Sequence, residues 1–249
     1  MILKKKLLLA TSLLFSLSLH AQKSQCGGTD DREISTHPAI GRMLKSMESL
    51  SGCTGTMISN HCMISAGHCY DYAQLVEFNT PLSKLGKLVH PPVEDIYSLD
   101  RVIDYSRRGI GDDWMVFKLK KNAVTGEIPG IKQGILPLSL STPKLPLMVE
   151  IIGYGADKRL NRNFAQQRAT GFLTELESMS LRHTVDTQGG NSGSAVLEIN
   201  SQSILGVHTH GGCSPTDDTG ANAGTFLHEN ANFQAAIEQC LSEEQDQVK

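Results

Sequence analysis

Short apolar segments separated by turn residues recur through most of this chain, and they constrain its fold more than any other feature. The segments are rich in β-branched and other large apolar residues, while Gly, Pro, Asn and Asp stand between them. The predicted strands are residues 54–58, 75–78, 87–89, 97–103, 114–119, 149–153, 171–176, 195–199 and 204–209. Because no long helical repeats separate them, the pattern favours an all-β protein with antiparallel barrels over a parallel βαβ sheet.

Two stretches depart from this pattern. Residues 123–137 are rich in Gly and Pro and predict a crossover between two halves of the chain. Near the C-terminus, apolar residues recur at helical spacing from Phe233 to Leu241, after Asn230 and Asn232 as alternative caps. We expect this helix to pack on the second half and the polar residues 242–249 to fray beyond it.

The N-terminus has the layout of a secretory signal peptide over residues 1–21. Three lysines are followed by an apolar stretch over residues 7–19 and then by His20 and Ala21. This stretch is too short for a membrane span, which needs about 20 apolar residues. Residues 22–36 are expected to form an N-terminal segment. Whether this segment includes a short pro-segment stays open. We expect a secreted or periplasmic protein without stable membrane insertion.

Charge and cysteine content narrow the functional classes further. The net charge is −3, and Lys and Arg are scattered, so no basic stripe is available for nucleic acid. Six cysteines in an exported chain predict disulfides rather than a metal or redox site. Spacing alone does not choose among the three pairings of Cys26, Cys62, Cys213 and Cys240.

A serine in a glycine-rich loop is the strongest candidate for chemistry. Ser192 lies in the sequence GGNSGS, residues 189–194, far downstream of His68 in SAGHC, residues 65–69. An imidazole can take the serine proton, while the flexible loop can direct the N–H groups of Gly190 and Ser192 at a developing oxyanion. Asp113, at the start of an apolar strand, could fix the histidine tautomer. Taken alone, residues 189–194 also fit a flexible Gly-Ser loop.

The order His68, Asp113, Ser192, together with the motifs around them, resembles the chymotrypsin-like serine proteases, and among these the bacterial glutamyl endopeptidases. The resemblance implies two antiparallel six-stranded β-barrels and a C-terminal α-helix. The first barrel is expected over residues 37–122, the second with the helix over 123–241, and a polar tail over 242–249. A serine endopeptidase acting on polypeptides, without a cofactor, is the implied function.

The same resemblance assigns roles to individual residues. The orienting acid precedes an apolar strand directly, which favours Asp113 over Asp112, Asp100 and Asp104. A disulfide between Cys53 and Cys69 is implied beside His68. Asn191 replaces the aspartate that, in the digestive branch, pairs with a new N-terminal ammonium, so this activation switch is not expected.

The substrate pocket gives two conflicting signals. Asp186 stands where trypsin-like relatives carry the aspartate that selects Arg or Lys, whereas Thr187 and His208 match residues that bind a substrate glutamate in the glutamyl endopeptidases. A histidine and a hydroxyl can both donate hydrogen bonds to a carboxylate, which favours glutamate. Gly211 is expected to let a substrate strand pair with the enzyme edge.

Two further interpretations compete with the protease hypothesis. His208 and His210, two residues apart on a strand and followed by Cys213, could hold zinc, but one pocket histidine and one exposed histidine is the preferred interpretation. A protease-like binding protein without turnover is the alternative from another functional class. The oligomeric state stays open.

Overall fold

The protein is described by a computed structural model. The structure describes residues 24–139, 141–214, 216 and 219–246, so the predicted signal peptide lies outside the described residues. No helix in the described ranges is long and apolar enough to span a membrane.

Six strands close into the first barrel. They are β2 (Ile40–Leu44), β3 (Cys53–Met57), β4 (Cys62–Ser65), β5 (Leu75–Glu77), β6 (Ile96–Arg107) and β7 (Asp113–Leu119). Their order around the barrel is β2-β3-β4-β7-β6-β5, and antiparallel pairing of β2 with β5 closes the ring. A 3-10 turn, Gly67–Tyr72, follows β4, and another, Val93–Asp95, precedes β6.

A second antiparallel barrel follows a short helix, α1 (Pro129–Gln133). Its strands are β8 (Leu147–Gly153), β9 (Gln167–Glu177), β10 (Ser180–His183), β11 (Ala195–Glu198), β12 (Ile204–His210) and β13 (Asn222–Phe226). They run in the order β9-β10-β13-β12-β11-β8, and pairing of β8 with β9 closes them. A two-residue strand, β1 (Glu33–Ile34), pairs with β9 from outside.

These two barrels confirm the predicted all-β class. Eight of the nine predicted strand segments overlap observed strands; the exception is 87–89, where Lys87 makes only an isolated bridge to Lys84. In this segment the Val89 carbonyl accepts a side-chain hydrogen bond from Arg42 Nη2 at 2.9 Å in place of a strand partner. Strands β1, β2, β4, β10 and β13 were not among the predicted segments.

Each barrel is filled by the apolar side chains that define its strand pattern. Met57, Met63 and Phe117 are buried in the core that includes the first barrel, while Val149 and Leu173 belong to a separate cluster in the second. Burying one side chain of this size stabilises the fold by about 1.5–3 kcal/mol. The strands therefore carry large apolar residues, and these residues mark the strands in the sequence.

The C-terminal helix, α2 (Ala231–Asp246), packs on the first barrel. It contacts β4, β6 and β7, Phe233 stacks on Trp114 with ring centroids 5.2 Å apart, and Cys240 is bonded to Cys62. The expectation that it packs on the second barrel was therefore wrong. The expectation of fraying from residue 242 was also wrong, because the helix continues to Asp246 and Glu244 accepts a hydrogen bond from Ser59.

Several hydrogen bonds join the two barrels. The Thr54 N–H donates to the Ser192 carbonyl at 2.9 Å, and Thr225 Oγ1 donates to the Asp113 carbonyl at 3.0 Å. Arg42 Nη1 donates to the Phe164 carbonyl at 2.9 Å. The cleft thus brings together residues from β3, β7 and β13 with the loop that follows residue 186.

Candidate active site

His68 and Asp113 form the best-defined contact in the cleft. His68 Nδ1 lies 2.6 Å from Asp113 Oδ2, and the His68 backbone N–H donates to Oδ1 at 2.9 Å. Both carboxylate oxygens therefore hold the same residue. The Asp113 side chain is 3% exposed, whereas that of His68 is 41% exposed. Because Nδ1 faces an acceptor, the neutral ring carries its proton there and leaves Nε2 unprotonated.

The position of Asp113 is set from both barrels. It begins β7, and its backbone N–H donates to Thr225 Oγ1 at 3.1 Å while Thr225 Oγ1 donates to its carbonyl. The competing acid Asp112 instead accepts a hydrogen bond from Trp114 Nε1 at 2.9 Å. Asp104 is exposed, and its carboxylate accepts the backbone N–H of Tyr105. Among these acids, Asp113 is the one in contact with His68.

Ser192 lies alongside the histidine loop. Its carbonyl oxygen is 3.6 Å from the sulfur of Cys69, the residue that follows His68, and Cys69 is bonded to Cys53. The hydroxyl of Ser192 makes no hydrogen bond to any described residue, His68 included. Catalytic hydrogen bonds are commonly long or poorly aligned before substrate binds, so this geometry is compatible with proton transfer.

The backbone around Ser192 depends on two glycines with positive φ. Gly190 has φ 104° and Gly193 has φ 86°, values that other L-residues rarely adopt. A Cβ on Gly190 would overlap the Tyr154 carbonyl, and one on Gly193 would overlap Ser65 Oγ. The loop therefore tolerates no side chain at either position.

Two backbone donors in this loop are unused. Within the described part of the chain, neither the Gly190 N–H nor the Ser192 N–H donates a hydrogen bond, whereas the Gly193 N–H donates to the His208 carbonyl at 2.8 Å. The carbonyl of Gly190 is itself held by Thr54 Oγ1 at 2.9 Å. Unused donors at a sharp turn are what an anionic oxygen requires.

A chain of hydrogen bonds determines the protonation of His208. The Val185 N–H donates to His183 Nδ1 at 3.2 Å, so the neutral His183 carries its proton on Nε2, which lies 3.1 Å from His208 Nδ1. His208 therefore accepts at Nδ1 and presents an N–H at Nε2. Burial lowers the pKa of His183 to about 3 and lowers that of His208 well below its usual value.

Asp186 is bonded to the N-terminal segment. Its two carboxylate oxygens accept the backbone N–H groups of Cys26 at 2.6 Å and Asp31 at 2.8 Å. The residue is 5% exposed, and burial raises the pKa of its carboxyl. Both carboxylate oxygens of Asp186 therefore already have a hydrogen-bond donor.

Thr187 and Gly211 have different environments. Thr187 is buried, and its N–H donates to the Ser24 carbonyl at 3.0 Å, while its hydroxyl lies 3.2 Å from Asn222 Nδ2. Asn222 also donates to the Ser24 carbonyl at 2.8 Å. Gly211 directly follows β12 and is exposed. Thr187 thus belongs to a buried polar cluster beside the N-terminal segment.

The two histidines of β12 are directed to different neighbours. A bulge between His208 and His210 breaks the strand register, and the ring of His210 lies 6.2 Å from that of His68. Burial lowers the pKa of His210. Cys213 is bonded to Cys26. In the described ranges, the one cluster of potential metal ligands is Cys53, His68 and Cys69, and its two sulfurs are bonded to each other.

Several residues of the site were not predicted from the sequence. Thr54, Thr225, His183 and Asn222 contact the predicted residues from distant strands. Thr and Asn carry no distinctive local motif here. His183 is recognisable in the sequence as a histidine six residues before the glycine pair, but nothing in the sequence pairs it with His208.

Two closed antiparallel barrels, with a histidine and an aspartate from one facing a serine loop from the other, define the class of chymotrypsin-like proteins. A family model described as Trypsin matches residues 26–226. The chain belongs to the trypsin family and is a serine-type endopeptidase, a hydrolase whose substrates are polypeptides.

A solved structure supports the same fold. It is described as a Glu endopeptidase in complex with MPD, and it superposes with a TM-score of 0.65. The match covers 86% of this chain and 97% of that chain, with 24% sequence identity.

Proposed function

We propose that this endopeptidase cleaves peptide bonds with Ser192 as nucleophile, His68 as general base and acid, and Asp113 as the group that orients His68. The observation that carries the proposal is the double contact of Asp113 with the ring and the backbone of His68, at 2.6 and 2.9 Å. It keeps the proton on Nδ1 and leaves Nε2 as the base.

The reaction follows from this arrangement. Ser192 Oγ attacks the substrate carbonyl while His68 Nε2 takes its proton, and the unused N–H groups of Gly190 and Ser192 bind the resulting oxyanion. His68 then protonates the leaving amine, which leaves an acyl-enzyme. A water molecule, activated by the same nitrogen, hydrolyses the ester and regenerates Ser192.

Covalent labelling tests this assignment. A fluorophosphonate should label the mature protein, and Ser192→Ala and His68→Ala should lose labelling. Ser141→Ala, at an exposed position before β8, should keep it. Undiminished labelling of Ser192→Ala would exclude Ser192 as nucleophile.

We further propose a preference for glutamate before the cleaved bond. Support comes from the hydrogen-bond chain through His183, which leaves His208 with an N–H donor at Nε2 for a substrate carboxylate. The structural neighbour described as a Glu endopeptidase agrees with this preference. Against Arg or Lys selection, both Asp186 oxygens already accept backbone N–H groups.

A peptide library with Glu, Gln, Asp, Arg and Lys before the cut tests the preference. Glu should be favoured, and His208→Ala should reduce kcat/KM for Glu about 10- to 100-fold, the effect of losing a hydrogen bond to a charged group. Cleavage of Gln peptides should change much less. Preferred cleavage after Arg or Lys would restore Asp186 as the specificity residue.

Export completes the proposal. The three disulfides fit an extracellular protease, since such bonds persist in oxidising compartments. We propose that residues 1–21 direct secretion and are removed. N-terminal sequencing of the exported protein should then begin at Gln22, and retention of the leader in the exported protein would contradict this.

A further inference from the structure

An arginine of the N-terminal segment lies buried behind the serine loop. Arg32 is 3% exposed, and its Nε and Nη2 donate to the two oxygens of Asp30 at 2.9 and 2.8 Å. Asp157 Oδ2 lies 3.9 Å from the same Nη2. Two carboxylates, which also pair with Arg159, therefore lie beside the charge of Arg32. Its Nη1 is buried without a hydrogen-bond partner among the described residues.

The guanidinium also holds a backbone group near the oxyanion donors. Arg32 Nη2 donates to the Ala156 carbonyl at 2.9 Å, and the Ala156 N–H donates to the Gly189 carbonyl at 2.8 Å. Ala156 thus connects the buried cation to the residue before Gly190. This connection is short, since a single residue separates Arg32 from the loop.

Peptide geometry makes this contact directional. The Gly189–Gly190 bond is trans, because the one cis bond in the described chain is Leu145–Pro146. In a planar trans peptide the C=O and N–H groups point in opposite directions. Holding the Gly189 carbonyl toward Ala156 therefore turns the Gly190 N–H away from Ala156, which leaves it available as an oxyanion donor.

Arg32 lies against a second residue of the same loop. A Cβ on Gly155 would collide both with Arg32 Nη1 and with Asn191 Oδ1, so these two atoms face the same point of the backbone. Asn191 Oδ1 accepts the Gln188 N–H at 2.9 Å and thereby closes the turn that contains Gly189 and Gly190. The guanidinium therefore lies close to the turn as well as to Ala156.

The segment that carries Arg32 is itself fixed to the second barrel. Cys26 is bonded to Cys213, Asp186 accepts the N–H groups of Cys26 and Asp31, and β1 pairs with β9. Arg162 Nη1 donates to the Arg32 carbonyl at 3.1 Å. These anchors place the guanidinium in one position.

We propose that Arg32 is a positioning residue for the oxyanion hole, acting through Ala156 on the Gly189–Gly190 peptide. The N-terminal segment from Cys26 to Arg32 is then part of the working enzyme rather than a removable pro-segment. The proposal rests on the proposed function, in which the Gly190 N–H binds the oxyanion.

Kinetics of Arg32→Met and Arg32→Lys test the proposal. Losing one oxyanion donor costs about 100- to 1,000-fold in kcat, so a misdirected Gly190 N–H should lower kcat at least about 10-fold with KM nearly unchanged. A peptide aldehyde, whose tetrahedral adduct needs the oxyanion hole, should bind correspondingly more weakly. The affinity for the cleaved acid product, which forms no such adduct, should stay within about 2-fold.

The matched control is Arg159→Met. Arg159 pairs with Asp30 and Asp157 in the same cluster, but its side chain is 45% exposed and makes no hydrogen bond to Ala156. It should keep wild-type kcat and aldehyde affinity. An equal loss in Arg159→Met would assign the effect to the charge of the cluster and overturn the positioning role.

Two outcomes separate this inference from the proposed function. If Arg32→Lys, which keeps the charge and should fold, retains wild-type kcat and aldehyde affinity, Arg32 does not position the loop, even though activity still depends on Ser192. If Ser192→Ala itself remains active, the proposed mechanism fails first. Near-ultraviolet circular dichroism of each variant establishes that a loss of kcat occurs in a folded protein.

Discussion

His183 and His208 are two histidines that stay neutral because they are buried against each other. The ring nitrogens are 3.1 Å apart, and a proton on both rings would place two charges in an apolar setting. Burial lowers the pKa of His183 to about 3 and that of His208 well below its usual range. Neutrality is what allows His208 to present one donor at a fixed nitrogen.

This neutrality predicts a loss of stability in mild acid. The unfolded chain protonates both histidines near pH 6.5, whereas the folded protein does not, so stability is full above about pH 6.5 and falls as the pH drops toward 3. Each histidine contributes up to about 1.4 kcal/mol per pH unit. Urea denaturation between pH 5 and 7.5 measures the slope.

His183→Gln provides the comparison for this slope. It removes one of the two groups, so its stability should depend on pH less steeply than that of the wild type between pH 5 and 6.5. Identical slopes would mean that His183 binds its proton equally well in the folded and unfolded states, which would contradict the buried neutral pair.

A cap at Asn230 begins helix α2, and long-range contacts hold the helix on the first barrel. Asn230 Oδ1 accepts the Phe233 N–H at 3.0 Å, and Asn230 Nδ2 donates to the Gly111 carbonyl at 3.0 Å. One side chain thus caps the helix and ties it to the loop before β7. The disulfide between Cys62 and Cys240 fixes its far half on the same barrel.

Asn230→Ala should lower the free energy of unfolding by about 1–2 kcal/mol, because the cap and the bond to Gly111 are both lost. Thermal or urea unfolding measures the change. Asn232→Ala is the matched control, since Asn232 is exposed inside the helix and should have an effect within about 0.5 kcal/mol. Equal effects of the two variants would contradict the capping role of Asn230.

Local patterns predicted the elements whose information is local, and they failed where partners are distant. Strand β7 was visible because four apolar residues follow Asp113 directly, and GGNSGS was visible because its glycines are clustered around a serine. The packing of α2 depends on Trp114 and Cys62, which lie far away along the chain. The same holds for His183, Thr225 and Arg32, whose roles arise only from folded contacts.

On the scale of the whole molecule, the N-terminal segment and the second barrel form one unit. The Cys26–Cys213 bond joins residues 187 positions apart in the sequence. Ser24, Cys26 and Asp31 meet Thr187 and Asp186 just before the serine loop. A change at the N-terminus is therefore expected to reach the active cleft.

The double variant Cys26→Ser, Cys213→Ser tests this coupling. Removing a disulfide that closes so long a loop should cost about 2–5 kcal/mol. Urea denaturation should show a lower midpoint, and kcat should fall as the segment carrying Arg32 loosens. A normal midpoint with normal kcat would show that the hydrogen bonds of Asp186 suffice to hold the segment.

Thr225, in the second barrel, fixes the backbone of Asp113 in the first. Its hydroxyl donates to the Asp113 carbonyl at 3.0 Å and accepts the Asp113 N–H at 3.1 Å. A chimaera that joins the first barrel of one homologue to the second barrel of another would take Asp113 from one parent and the residue at position 225 from the other. A chimaera spliced in the crossover should work best when both parents contribute a hydroxyl side chain at the position of Thr225.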